Sequence, residues 1–109
     1  MNLRSKLLES IKSSLPRREA VTLPSGETVY AQEFNAGEMD RFESEHAEAG
    51  RQGFRSRLIV HGVRDEEGRP VFQPEDLEAV AALPWSVAEP LAAAVVRVNK
   101  LGADYEGRA

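Results

Sequence analysis

The sequence contains no cysteine. That excludes a disulfide framework, a thiolate nucleophile and a Cys-based zinc site, and it suits a reducing cytosol. Positive charge is not in excess either. The net charge of −4 argues against broad non-specific binding to DNA, RNA or an anionic membrane surface. Long apolar runs are missing, since Leu58 to Val60 and Leu91 to Val96 fall far short of the ~20 residues that span a bilayer. The leading MNLRSKLLESIKSSL has neither a continuous apolar h-region nor a small-residue cleavage site, which speaks against a signal peptide. The expectation is a cytoplasmic protein.

Motifs that carry chemistry are also absent. There is no glycine-rich phosphate loop and no Gly-x-Ser-x-Gly elbow. His46 and His61 are the only histidines, and neither has a partner at zincin spacing, so a satisfied or exposed role is preferred to a ligand role. Counting from Asp65, a calcium loop needs glycine at the sixth position and glutamate at the twelfth. Gly68 is fourth and Asp76 twelfth. The glutamates Glu43, Glu45 and Glu48 are ordinary for a solvated helix face. Arg51, Arg55 and Arg57 flank Phe54 and form a small basic cluster, for which a solvated face is a simpler reading than a phosphate site. No catalytic, cofactor or metal residue is assigned.

What is present is organised around LIVHGVRDEEGRPVFQPEDL, residues 58–77. Asp65 and Gly68 suit a reversal, one bonding its own backbone and the other tolerating positive φ. Gln73 then stands as an N-cap with Pro74 at the first helical position and Glu75 and Asp76 in the first turn. Phe72 and Leu77 flank that cap as a hydrophobic staple does.

In chain order, Leu3, Leu7, Leu8, Ile11 and Leu15 recur at helical spacing and predict an amphipathic helix near 3–14, stopped by Pro16 and packed against the domain. Its mixed charge and lack of aromatic anchors disfavour a membrane-surface role. Val21 and Leu23, the turn formers Pro24 to Glu27, and Thr28 to Ala31 predict a β-hairpin near 20–34. Asn35 with Glu38 forms a capping-box pattern ahead of a helix that carries Met39, Phe42, His46 and Ala47 and ends at Gly50. Between Phe54 and Val63 the period is ambiguous. A strand over 58–63 pairing with 70–72 remains open, but the pattern reaches back to Phe54 without a breaker and favours a helix buried on more than one side. A helix opened by Pro74 ends at Pro84, with Trp85 beside it as a core anchor. Ser86 to Glu89 offers a second capping box. Val87, Leu91, Ala94, Val95, Val98 and Leu101 share one stripe of the last helix, Pro90 sits discordantly in it, and Gly102 is its stop. The fold class expected is α+β and mainly helical, with four or five helices and a small N-terminal β-hairpin. Residues 1–102 are expected as one domain and 103–109 as a flexible tail.

Taken together, MNLRSKLLESI, ETVYAQEF, NAGEMDRFE, RLIVHGVRDEEGRPVFQPEDLEAV and VVRVNKLG resemble the tail assembly chaperones of long-tailed bacteriophages and prophages. The central segment is the most specific part, and Pro90 is a departure from the family's uninterrupted last helix. The resemblance implies a non-enzymatic protein that binds the tape-measure protein, keeps it soluble and helps recruit major tail-tube subunits. A frameshifted extension, frequent in that family, would attach after Gly102. Competing readings are a structural tail-completion or connector protein and a small DNA-binding regulator. The second is disfavoured because no basic recognition helix lies within 77–101.

For partner binding the sequence offers Ala92, Ala93 and Val96, which lie opposite the core stripe where a solitary surface helix places charges. Cover by another element, or alanine chosen for helix propensity, is the plainer account of them. A second copy or a helical stretch of client is the sharper one.

Overall fold

The computed structural model describes residues 2–102. Among them run α1 (Leu3–Ser13), β1 (Arg18–Thr22), β2 (Thr28–Gln32), α2 (Ala36–Ala49), α3 (Phe54–Gly62), β3 (Val63–Arg64), a 3-10 turn at Pro74–Asp76, α4 (Leu77–Ala81) and α5 (Trp85–Asn99). The fold is α+β and mainly helical, with the hairpin where the alternating pattern places it. The expected tail at 103–109, and with it the point of any extension, lies outside the described residues.

The hairpin pairs Val21 with Val29, and Gly26 takes φ 95° in its turn, a conformation that costs glycine nothing. A third strand on the hairpin was not foreseen, since the strand reading open over 58–63 paired it with 70–72 instead. β3 adds to the far side of β2, pairing Val63 with Ala31 and Arg64 with Tyr30, so the sheet order is β1-β2-β3. At two residues it is too short to leave a period. The ambiguous segment is therefore a helix through Gly62 that becomes extended at Val63, and Arg64 also bridges Pro70 across the acidic turn. Within that turn the Asp65 carbonyl accepts from the Gly68 N–H at 3.0 Å.

α3 is the central helix. Leu58 and Ile59 are essentially inaccessible and Val60 nearly so, which is the many-sided burial that the helical reading implied. α5 lies close against it, because Gly62 presents no side chain there. A Cβ at Gly62 would stand 2.7 Å from both γ-carbons of Val95, far inside van der Waals contact. Leu91, Ala94, Val95 and Val98 fill this seam, as the stripe predicted. At its end Asn99 ties α5 to the end of β2, its Oδ1 accepting from the Phe34 N–H at 2.8 Å and its Nδ2 donating to the Gln32 carbonyl at 3.4 Å.

Four expectations need correction. α1 forms, capped by Asn2 accepting from the Ser5 N–H at 2.9 Å, but buries none of its residues. Leu3 is 70% and Ile11 64% exposed, so amphipathicity did not mean packing on this body. Trp85 is not a core anchor. It is 58% exposed, because Pro84 turns the chain so that Trp85 becomes the first residue of α5 on its outer side. The box at Ser86–Glu89 does not form for the same reason, since the Pro84 carbonyl already accepts from the N–H groups of Val87 and Ala88, each at 2.9 Å. The helix also stops earlier than Gly102. Lys100 takes the left-handed conformation, φ 54°, while the Leu101 N–H reaches back to the Val96 carbonyl at 3.0 Å, a Schellman-type closure.

Candidate functional site

A cleft of about 490 Å³ lies between α2, α3 and the 70–77 segment. It is built from the two best-marked caps in the sequence. At the start of α2 the Asn35 Oδ1 accepts from the Glu38 N–H at 2.8 Å, and the Glu38 Oε1 accepts from the Asn35 N–H at 2.9 Å. At the start of the 3-10 turn Asp76 Oδ2 accepts from the Gln73 N–H at 2.8 Å. The first cap aims Glu38 across the cleft, and the second holds Phe72, Pro74 and Leu77 along its opposite wall.

The floor carries two buried arginines that sequence reasoning did not single out as a pair. Arg64 donates from Nη2 to Glu38 Oε2 at 2.6 Å and to the His61 carbonyl at 3.2 Å, and from Nη1 to the Gly68 carbonyl at 3.3 Å. Arg57 donates from Nη2 to the Gly50 carbonyl at 2.8 Å and from Nη1 to the Gln52 carbonyl. Burial pushes Glu38 upward, but the Asn35 N–H and the Arg64 guanidinium outweigh it and hold the carboxyl below its ordinary 4.5. His61 Nε2 lies 2.8 Å from Glu45 Oε1, with its ring edge-on to Phe42 at 6.1 Å. Among the described residues no group of three or more carboxylates and histidines is placed to hold a metal ion. The polar groups here hold one another in place. What the cleft offers a ligand is its apolar wall, with Glu48 and Arg41 exposed at the rim.

The arginine cluster read from the sequence is dispersed. Arg57 is 6% exposed and closes the end of α2, whereas Arg55 lies outside with its guanidinium carbon 5.0 Å from the centre of the Trp85 ring. No shared phosphate site results. A solvated face is equally wrong for Arg57, and the signal that could have placed it is the run Gly50 to Gly53, whose free carbonyls at a helix end need donors.

The three residues offered for partner binding divide. Ala92 is 4% exposed, covered by α3, while Ala93 and Val96 are half-buried and line a shallow cavity of about 80 Å³ with Phe54, Leu58 and Trp85. No helix among the described residues is long and apolar enough to cross a membrane.

Fold and surface thus describe a small mainly helical α+β protein with an open cleft. No protein-family model matches the sequence, and no curated protein matches it. A solved structure does. The bacteriophage HK97 tail assembly chaperone is similar over 85% of this chain and 97% of its own, with a TM-score of 0.58 at 19% identity. The resemblance read from the sequence is thereby met at the level of the fold.

Proposed function

We propose that this protein is a phage tail assembly chaperone that binds and solubilises the tape-measure protein and helps recruit major tail-tube subunits, acting in the bacterial cytoplasm without a cofactor. The observation that carries this reading is the likeness in fold to the HK97 chaperone over 97% of that chain. An exposed apolar surface suits that task, because a long helix-prone client exposes apolar stripes that aggregate unless covered. The client side proposed is the outer edge of α5, where Ala93 and Val96 adjoin Trp85, an exposed residue of the type that anchors interfaces. Ala92 supports that edge from beneath.

Co-expression of this chain with the tape-measure protein of the same phage tests the proposal. The client is expected to shift from the pellet to the soluble fraction and to co-purify with this chain, and purified virions are expected to lack the chain by mass spectrometry. A stoichiometric presence in the virion would favour a tail-completion subunit instead.

A further inference from the structure

We infer, resting on the client surface proposed above, that the groove between α3 and the outer face of α5 takes a helical stretch of client in which a carboxylate lies one turn from an aliphatic side chain. Arg55 is the residue that reads the carboxylate. On α5 the positions Trp85, Glu89, Ala93 and Val96 follow one another at helical spacing, and with Phe54 and Leu58 of α3 they line the shallow cavity of about 80 Å³. From Trp85 to Val96 this face runs about 16 Å at 1.5 Å per residue, a length that suits a helix. The small side chains of Ala92 and Ala93 let a partner helix approach closely, and the cavity beside them admits an aliphatic side chain, as helix-in-groove contacts do.

Charge decides what else that helix carries. Arg17, Arg64, Arg69 and Arg97 are each paired with a carboxylate of the chain itself. Arg55 is not. It is exposed at the edge of the groove with its guanidinium over the Trp85 ring, 5.0 Å from the centroid, and among the described residues no hydrogen bond or ion pair engages it. An aromatic face positions a guanidinium without using its N–H groups, so the planar fork stays open to a carboxylate, which it binds through two parallel hydrogen bonds. The surroundings favour the same sign. Arg55 stands in the first turn of α3, whose N-cap Gly53 supplies no capping side chain, so the helix dipole also favours an anion there. Glu89, exposed on the α5 rim, repels a second carboxylate and confines the acidic residue of the client to the α3 side.

Overlapping peptides that span the tape-measure protein of the same phage test this on the full chain. Trp85 is the sole tryptophan, so its emission reports on the groove directly. Peptides that bind are expected to shift that emission to the blue and to carry Asp or Glu about three or four residues from Leu, Ile or Val, the spacing of neighbours on one helix face. Replacing that acid by Lys should weaken binding by about tenfold or more, the scale of a hydrogen bond to a charged group. Arg55→Glu should weaken the acidic peptide as much and should bind its Lys form better than the acidic one. Arg55→Lys, which keeps the charge without the fork, should fall between parent and Arg55→Glu. Circular dichroism should be the same for all three chains, because Arg55 is exposed. Undiminished binding of the acidic peptide by Arg55→Glu, no gain for the Lys form on that variant, or binding that leaves Trp85 emission unmoved would each overturn the proposal. So would a blue shift that grows with concentration in the chain alone, since a second copy would then cover the groove. Full-length client keeps the two readings apart. A parent chain that binds no peptide and solubilises no tape-measure protein sinks both, whereas undiminished capture by Arg55→Glu sinks the role of Arg55 and leaves the chaperone reading standing.

Discussion

Arg64 Nη2 lies 2.6 Å from Glu38 Oε2, joining the two-residue strand β3 to the first turn of α2 across 26 positions of sequence. Both side chains are more than two-thirds buried, Arg64 at 9% and Glu38 at 25% exposure, so the pair is not a surface ornament. Removing one partner strands the other. Glu38→Gln keeps much of the shape but takes away the countercharge, and is expected to lower stability by about 2 kcal/mol, within the range for a hydrogen bond to a charged group. Glu38→Gln combined with Arg64→Met should cost less than the sum of the two single changes, since no buried charge is then left unpaired. Urea unfolding of the four proteins in the cycle measures it.

The same pair sets an acid limit. Glu38 is held below its ordinary 4.5 in the folded chain, so its ionised form contributes stability that is fully present above that value and is lost as pH falls through the folded value. Unfolding free energy should therefore decline below about pH 4.5. The gap between the parent chain and Glu38→Gln should narrow over the same interval. A gap of constant width from pH 7 to pH 3 would show that Glu38 acts through its shape alone.

The close seam between α3 and α5 makes a second stability prediction. In an exposed helix Ala is better than Gly by about 1 kcal/mol, yet Gly62→Ala should destabilise by about 1–3 kcal/mol as overpacking does, because its methyl meets both γ-carbons of Val95. Adding Val95→Ala to Gly62→Ala should recover part of that loss. Leu91→Ala, in the same seam at 3% exposure, should cost about 2–5 kcal/mol, and a loss below about 0.5 kcal/mol would be incompatible with the burial described.

How far the sequence carried depends on whether a signal is local. Capping boxes and turns are satisfied by neighbours a few residues away, so Asn35 with Glu38 and the reversal at Asp65–Gly68 were legible. The stripe of α5 was legible because its partner, α3, lies in the same molecule. α1 shows the limit of that logic, since amphipathic spacing says that a face needs cover without saying which surface supplies it. Trp85 was misplaced because its size suggested a core position, whereas its direction depends on the backbone turn at Pro84. Arg64 gave no local sign, as its partners Glu38, His61 and Gly68 are assembled only when β3 joins the sheet. The cleft was invisible for the same reason.

Lys100 is a site for gain rather than loss. A left-handed conformation costs a residue with a Cβ about 1–2 kcal/mol, and Lys100 adopts it at φ 54°. Glycine removes that cost but adds about 0.4–1 kcal/mol of freedom to the unfolded chain. Lys100→Gly should therefore raise stability by roughly 0.5 kcal/mol, and a lower melting temperature would mean that the lysine side chain contributes more than its backbone costs.

Client binding on the outer edge of α5 is best tested at Trp85. Val96→Glu alone confounds two effects, because Val96 is half-buried against the core and a carboxylate there also carries a desolvation cost. Trp85 is 58% exposed and is stacked only loosely beneath Arg55, so Trp85→Ala should change stability by no more than about 1 kcal/mol, the scale of an exposed cation–π contact. At an interface the same truncation removes an anchor, and losses of about 2 kcal/mol or more in binding are typical there. Trp85→Ala should then leave the melting curve nearly unchanged while reducing capture of soluble tape-measure protein on co-expression by tenfold or more. Undiminished capture by a folded Trp85→Ala chain would remove the α5 edge from consideration as the client surface, whatever Val96→Glu does.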